Sequence, residues 1–208
     1  MFENKRILSL GWLTVFLVLL TSSCQALPGD QADEPALSPS GATEEPLILT
    51  TQGWVGSQLV IRQWAVSAEA SSTYVEPEWG PNQATGAPDA PGCGDYQFAW
   101  ASASNDEIAT LELVYKTPVY VSEIIIVQSF NPDQVIKVEI LNPDDEYQLV
   151  YQKIPVVVDR PCPYSLSVPV EELDFKSDTI RITVDQSVLG LGWNEIDAVR
   201  LVGTLSKQ

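Results

Sequence analysis

The stretch of this chain that is richest in potential chemistry is NQATGAPDAPGCGDYQFAW, at residues 82–100. It combines two aspartates and a cysteine with several glycines and prolines, which dictate backbone shape where side chains do not. The chain contains no histidine, and this excludes the Ser–His and Cys–His arrangements of nucleophilic catalysis. The segment is therefore expected to hold a metal ion, to hold a sugar, or simply to maintain its own shape.

The first residues of the chain have the composition of an export signal. Lys5 and Arg6 precede a mostly apolar run over residues 7–20, which is too short to span a bilayer, and small residues lead up to Cys24. The Ser-Ser-Cys ending resembles a bacterial lipobox, in which the cysteine becomes the lipidated first residue, although the leucine lies one place further back than usual. We therefore expect a lipoprotein signal peptide over residues 1–23. The protein would be exported and lipid-anchored through Cys24 to the bacterial membrane, outside the cytoplasm; an ordinary signal peptide is the alternative.

Two further cysteines, Cys93 and Cys162, remain once Cys24 is set aside. In an oxidising compartment two such residues are most economically explained by one disulfide, although two unpaired thiols stay possible. A zinc site is disfavoured, because two cysteines without histidine do not make the usual ligand sets.

The charge of the chain limits its partners. With 28 acidic and 11 basic residues the formal net charge is −17, whereas phosphate binding requires a basic footprint. Nucleic acid is therefore excluded as a partner, and anionic membrane surfaces are disfavoured. The acidity suits a divalent cation, and it is equally explained by a solvated surface that keeps the protein soluble.

The composition divides the rest of the chain in two. Residues 24–56 are rich in proline and acidic side chains and are predicted to form a disordered linker, because they lack the apolar content that offsets ordering entropy. Residues 57–206 consist of short apolar and β-branched runs separated by turns. Two of these turns, FNPD and NPDD, contain asparagine directly before proline, which is typical of type I turns. Alternating side chains are expected to face a core: Ile136, Val138, Ile140, Ile180, Ile182 and Val184. Seven or so such strands predict an all-β, antiparallel two-sheet sandwich.

Six motifs in the same order resemble the discoidin, or factor V/VIII C-type, domain, over about residues 63–205. They are SAEASSTY (67–74), ATGAPD and GDYQFAW (84–100), ATLELVYKTPVYVSEIII (109–126), VIKVEIL (135–141), SDTIRITVD (177–185) and WNEIDAVRLVG (193–203). This resemblance implies a galactose-binding-like jelly roll of eight antiparallel strands. It also implies that loops at one end bind carbohydrates, phospholipid headgroups or extracellular proteins.

The resemblance further implies a structural calcium ion as cofactor. By position, the matching carboxylates are Asp89, Asp95 and Glu195, and Trp100 matches the tryptophan that opens the core after this loop. Calcium takes six to eight oxygen ligands from carboxylates and carbonyls, which a Gly/Pro-rich acidic turn can supply. Cys93 interrupts the acidic pattern of the family, so an acidic turn pinned by a disulfide, with no ion, stays open as the alternative.

The ligand-binding residues that the resemblance implies are Tyr74, Trp79 and Asn131, which lie in segments corresponding to the family's binding loops. An exposed aromatic ring beside polar groups is the usual platform for a sugar; the alternative for Trp79 is a packing role within its loop. Trp64 and Trp193 are predicted to belong to the core.

These observations predict a membrane-tethered binding module, outside the cytoplasm, that captures a carbohydrate or a cell-surface protein through its loops. The alternative is a structural cell-envelope protein with no small ligand. A pair of carboxylates could serve a glycosidase, but a small jelly roll without a second domain is a poor host for catalysis, and we predict that the protein is not an enzyme.

Overall fold

The computed structural model describes residues 51–55 and 58–207 of the chain. This part contains one short 3₁₀ turn, Pro81–Ala84, and nine β-strands. The strands are β1 (Thr51–Val55), β2 (Gln58–Trp64), β3 (Ser67–Ala70), β4 (Ile108–Phe130), β5 (Val135–Leu141), β6 (Tyr147–Gln152), β7 (Tyr164–Pro169), β8 (Ser177–Asp185) and β9 (Glu195–Thr204). Within these residues, no helix has the length and apolar character needed to cross a bilayer. The predicted signal peptide, Cys24 and the linker up to residue 50 fall outside the part described.

The strands pair antiparallel in two sheets that share the long strand β4. One sheet has the order β1-β2-β9-β4-β7, and the other has the order β3-β4-β8-β5-β6. The first half of β4 pairs with β3 and β8, and the second half pairs with β9 and β7. The predicted all-β jelly-roll sandwich is confirmed.

The transfer of β4 between the sheets occurs at a bend between Val114 and Val119, where its pairing with β8 shifts register. The fully buried side chain of Gln63 stabilises this bend. Its amide nitrogen donates to the carbonyl oxygen of Thr117 at 2.6 Å, and its amide oxygen accepts from the Thr117 N–H at 3.1 Å. One buried amide thus satisfies both backbone groups of a residue that leaves the ladder.

Both sheets contribute to a single hydrophobic core. The alternation predicted for β8 is confirmed, because Ile180, Ile182 and Val184 are fully buried. In β5 the prediction is correct for the two later residues and wrong at the start of the strand: Val135 is buried, and Ile136 is partly exposed. The cause is a register shift between β5 and β8 next to Val135, which exchanges the faces of the first two residues.

The first strand lies within the segment that the sequence analysis assigned to the linker. Residues Thr51–Val55 pair with Gln58–Trp64 through five registered partners. Threonine, tryptophan and valine in this short run favour extended backbone, and the neighbouring strand offers them an edge to pair with.

The registers bring four connections to the same end of the sandwich, because the pairs Ile108–Asp185, Phe130–Glu195, Val135–Val184 and Gln128–Tyr164 all lie there. We call this the loop end. Its connections are residues 71–107, 131–134, 153–163 and 186–194.

Candidate binding site

A small cleft of about 130 Å³ lies at the loop end. It is lined by three aromatic side chains, two carboxylates and one small residue: Tyr74, Trp79, Trp193, Asp95, Glu195 and Ala101. Most of them come from the connection 71–107, whereas Trp193 closes the connection 186–194 and Glu195 is the first residue of β9. The cleft thus exists only because the two sheets bring these connections together.

The three rings of the cleft pack edge to face around Tyr74. The Tyr74 and Trp79 ring centroids lie 5.6 Å apart at an interplanar angle of 83°, and those of Tyr74 and Trp193 lie 5.3 Å apart at 67°. Such geometry stabilises aromatic pairs by about 0.5–1.5 kcal/mol beyond area burial. Tyr74 nevertheless keeps 52% of its surface exposed, so a ligand can reach it.

Trp79 is held in an uncommon backbone conformation. Its φ of 53° lies in the left-handed region, which is unfavourable for a bulky residue. Two backbone hydrogen bonds hold it there, from its own N–H to the Gln97 carbonyl and from the Ala101 N–H to its carbonyl, both at 3.1 Å. Residues in such conformations persist where the surroundings determine them, and they concentrate at functional sites.

The indole N–H of Trp79 joins the two carboxylates of the cleft. It lies 3.2 Å from Oδ1 of Asp95 and 3.3 Å from Oε1 of Glu195. The other oxygen of Glu195 accepts from the Tyr96 N–H at 3.0 Å and from the Ser129 hydroxyl at 3.1 Å. Glu195 is therefore buried with donors on both oxygens, whereas Asp95 is exposed.

The pKa of Glu195 is raised from 4.5 to about 7, mainly by burial, and the neighbouring Asp95 carboxyl, in hydrogen-bonding contact with it, contributes to the rise. The Tyr96 N–H and the Ser129 hydroxyl act in the opposite direction. Removing a carboxylate from water disfavours its charged form. The cleft is thus a site where adding positive charge would be favourable.

A second pair of neighbouring carboxyl groups is formed by Asp89 and Asp197. Asp197, two residues after Glu195 on β9, accepts hydrogen bonds from the N–H groups of Asp89 and Ala90, both at 3.2 Å. Burial is the main cause that raises the pKa of Asp197, and the Asp89 carboxyl adds to it. Asp197 was not predicted from the sequence, because the pairing of β9 with β4 shifts register on both sides of Ile196, so strand alternation does not assign the face of its side chain.

The three carboxylates predicted to hold calcium are not gathered in one place. Asp95 and Glu195 lie together, but Asp89 lies against Asp197. Among residues 51–55 and 58–207, no group of three or more Asp, Glu or Cys side chains could hold a metal ion. Asp95 and Glu195 offer the hard oxygen ligands that calcium takes, whereas Asp89 does not join them in a set of three.

A disulfide links Cys93 and Cys162, as one of the two interpretations of these cysteines predicted. It ties connection 71–107 to connection 153–163. Next to it, the Gly94 N–H donates to the Ser129 carbonyl at 2.8 Å, and Gly94 has a φ of 154°. The acidic segment is thus fixed to β4 immediately before Asp95.

Asn131 does not line the cleft. Its side-chain amide donates to the Leu191 carbonyl at 2.7 Å, and its own carbonyl accepts from the Asn194 amide at 3.1 Å. The residue therefore fastens connection 131–134 to connection 186–194, which carries Trp193. This places it as a support for the cleft wall.

The structure places two tryptophans differently from the prediction that both belong to the core. Trp193 lines the cleft, with its indole N–H donating to the Ser102 carbonyl at 3.0 Å. Trp64 is partly exposed, and the Arg200 guanidinium lies 5.3 Å from its ring centre. Trp100, by contrast, is fully buried and bridges to Ile196 of β9. The glycines at 190 and 192, both with positive φ, were the signal that Trp193 belongs to a shaped loop.

Two antiparallel sheets that share the strand β4, with a cleft among the loops at one end, have the architecture of a galactose-binding-like, discoidin-type jelly roll. Three solved structures have this fold: chitosan-binding module 1 of a chitosanase/glucanase from Paenibacillus sp. IK-5, an F5/8 type C domain from Bacteroides fragilis, and truncated AlyQ with CBM32 and alginate lyase domains. Their TM-scores are 0.51, 0.50 and 0.50, with identities of 11%, 13% and 14%. The alignments cover 66%, 68% and 72% of this chain and 93%, 97% and 35% of theirs.

At these identities the likeness establishes the fold. The model of one sequence family, "Pappalysin-1, SD scarf domain, C-terminal", matches residues 55–208, and the chain belongs to this family. No curated protein matches the chain.

Proposed function

We propose that this domain is a binding module that captures a carbohydrate in the cleft at its loop end. The observation that carries the proposal is the half-exposed Tyr74 ring, standing beside Trp79 and Trp193 with two carboxylates within the same small cleft. Aromatic faces pack against the apolar faces of sugars, and carboxylates accept hydrogen bonds from hydroxyl groups. Clefts with aromatic walls and a few placed polar groups are typical of small-ligand sites.

One of the structures with this fold supports the proposal. The Paenibacillus module is named as binding chitosan, which indicates that a domain of this fold can hold a sugar. In this chain, the side chains of Tyr74, Trp79 and Trp193 form the aromatic surface of the cleft.

The proposed role is binding and not catalysis. The carboxyl groups of Asp95 and Glu195 are in hydrogen-bonding contact, whereas the two carboxyl groups of a retaining glycosidase are about 5 Å apart and those of an inverting enzyme are further apart. The pair is too close to flank a glycosidic bond.

We further propose that the module is tethered outside the cytoplasm by lipid on Cys24. The basic residues, the apolar run and the Ser-Ser-Cys ending support this location, and the acidic, proline-rich segment that follows would separate the domain from the membrane. Acyl chains contribute about 0.8 kcal/mol per buried CH₂, so two or more chains on one cysteine hold a protein durably.

Calcium binding remains a separate proposal, now on Asp95 and Glu195. These residues would hold the ion, which would offset the repulsion between two carboxylates in contact. Asp89, paired with Asp197, would contribute by fixing the segment.

A second candidate function, a structural envelope protein with no small ligand, is favoured by the apolar surface of connection 153–163. Ile154 and Val157 are 77% and 64% exposed, and an exposed apolar group of this kind marks contact with a protein neighbour. In that case the side chains that line the cleft would serve only to pack the loops against one another.

A glycan array probed with the purified full chain tests the proposal and separates it from the alternative. Tyr74→Ala removes the exposed ring, and Tyr120→Ala serves as the matched control, because Tyr120 is partly exposed and pairs with Thr204, the last residue of β9, at the opposite end of the sandwich. The proposal expects a glycan class that the wild type and Tyr120→Ala bind and that Tyr74→Ala loses. Binding unaffected by Tyr74→Ala would contradict it. The absence of any bound glycan, together with stable co-purification of one envelope protein, would favour the structural role.

A further inference from the structure

We infer that the cleft selects a positively charged sugar, an amino sugar with a free ammonium group, over its neutral or anionic counterparts. The inference rests on the proposed carbohydrate-binding function and specifies the ligand class.

The cleft is surrounded by negative charge. Asp95 and Glu195 line it, and none of its lining residues is basic. The connection 71–107, which supplies most of the walls, contains six acidic residues and neither lysine nor arginine, and the connection 186–194 contains no basic residue. A uronic acid or sialic acid would bring a further negative charge into this environment without a partner, which is unfavourable.

The only basic residues of the loop-end connections lie elsewhere. Lys153 lines a separate apolar groove with Ile154. Arg160 is committed to Asp133, at 2.7 Å from its Nη2 and 2.8 Å from its Nε. The acidic character of the cleft is therefore not neutralised by either of them.

The walls of the cleft are aromatic. An ammonium group over an aromatic face is attracted by the ring quadrupole, and several rings around a small space form the usual receptor for an organic cation. Tyr74, Trp79 and Trp193 surround a space of about 130 Å³, which suits one ammonium-bearing edge of a sugar ring. The hydroxyl groups and ring carbons would extend over the exposed Tyr74.

Asp95 retains hydrogen-bonding capacity for a ligand. A carboxylate offers about four acceptor positions. Within the part of the chain that the structure describes, the side-chain hydrogen-bonding contacts of the Asp95 carboxyl are with the Trp79 indole N–H and with the Glu195 carboxyl, which leaves acceptor positions open. An ammonium group, which has three donors and no acceptor, can use the remaining positions and screen Asp95 from Glu195.

The test compares two ligands with the same sugar backbone, one with free ammonium groups and the other with neutral acetamido groups. A glucosamine tetramer and its fully N-acetylated counterpart are titrated calorimetrically into the full chain with a chelator present, at low and moderate salt. Because hydrogen bonds to charged groups contribute more than neutral ones, we expect the free amine form to bind at least about tenfold more tightly. Asp95→Asn should reduce that ratio several-fold, and Tyr74→Ala should abolish binding of both.

Asp144→Asn is the matched control, because it removes the same charge from the exposed turn between β5 and β6 at the opposite end. It should leave the ratio unchanged. Equal binding of the two tetramers, abolished by Tyr74→Ala, would overturn the charge selection and leave the carbohydrate site standing. An amine preference that Asp95→Asn and Asp144→Asn reduce equally would also overturn it, since the net charge alone would then explain the preference. Failure to bind either tetramer, with other glycans bound through Tyr74, would contradict only this inference; failure to bind any glycan would contradict the proposed function as well.

Discussion

The indole nitrogen of Trp79 lies 3.3 Å from Oε1 of Glu195, a residue 116 positions further along the chain. One of these residues belongs to a long connection, and the other begins the last strand, at the centre of a sheet. Their hydrogen bond fixes the aromatic wall of the cleft to the core of the sandwich. Carbohydrate binding and the stability of the loop end are therefore expected to respond together when either residue is changed.

The first prediction concerns the effect of pH on stability. The pKa of Glu195 is raised by burial to about 7 in the folded protein, against an ordinary value of 4.5. Between these values the folded state binds more protons than the unfolded state, so the free energy of unfolding falls as pH rises from about 4.5 to 7. Urea denaturation in chelator should show this fall.

Glu195→Gln should flatten this pH dependence, leaving the part that belongs to Asp197, whose pKa is also raised. Glu171→Gln, an exposed replacement of the same kind, should preserve the full dependence. A stability profile that is identical in both variants would contradict the assignment to Glu195.

The second prediction concerns calcium. An ion that binds only the folded state stabilises it by about 2.7 kcal/mol at a hundredfold excess over Kd, which is roughly 5 to 10 °C in Tm for a domain of this size. Millimolar calcium should give this shift relative to chelator, and magnesium should not, because it retains its waters. Asp95→Asn should remove most of the shift and Asp144→Asn none. Superimposable melting curves with calcium and with chelator would contradict calcium binding.

The third prediction concerns the disulfide between Cys93 and Cys162. The two residues are 69 positions apart, and a loop of that length corresponds to about 4 kcal/mol in the chain-entropy description. Differential scanning calorimetry should therefore show a Tm about 10 °C lower in Cys93→Ala. Cys162→Ala and the double variant should match it, because each removes the same bond. Additive losses in the double variant would show that the side chains act separately.

The fourth prediction concerns the membrane tether. Mass spectrometry of the native N-terminus should find an acylated Cys24, and Cys24→Ala should move the protein to the soluble fraction. A mature protein that begins elsewhere would contradict lipid anchoring.

The sequence was sufficient to predict the fold for two reasons. The alternation within a strand such as β8 is a local property, and the order of the six motifs can be read directly along the chain. Ile180, Ile182 and Val184 alternate without interruption, and their burial follows. Where a bulge interrupts the pairing, as beside Val135, local alternation could not reveal that Ile136 faces outwards.

The candidate site was predictable only in part, because it is formed by contacts between distant connections. Tyr74 and Trp79 could be proposed from one segment, and the structure places both in the cleft. Trp193 and Asp197 depend on how connection 186–194 and β9 meet connection 71–107, and nothing local to either residue specifies that contact. For the same reason the separation of Asp89 from Asp95 was not foreseen, although the two lie six residues apart.

The most direct test of carbohydrate binding in the cleft is to observe its indole groups during a titration. In a ¹H–¹⁵N NMR spectrum of the labelled protein, a glycan from the array is added stepwise, and the tryptophan indole signals are assigned by single substitutions. Binding in the cleft predicts saturable shifts of Trp79 and Trp193 with one common Kd, while the Trp64 signal stays constant. Saturable binding that leaves the Trp79 and Trp193 signals unmoved would contradict the account.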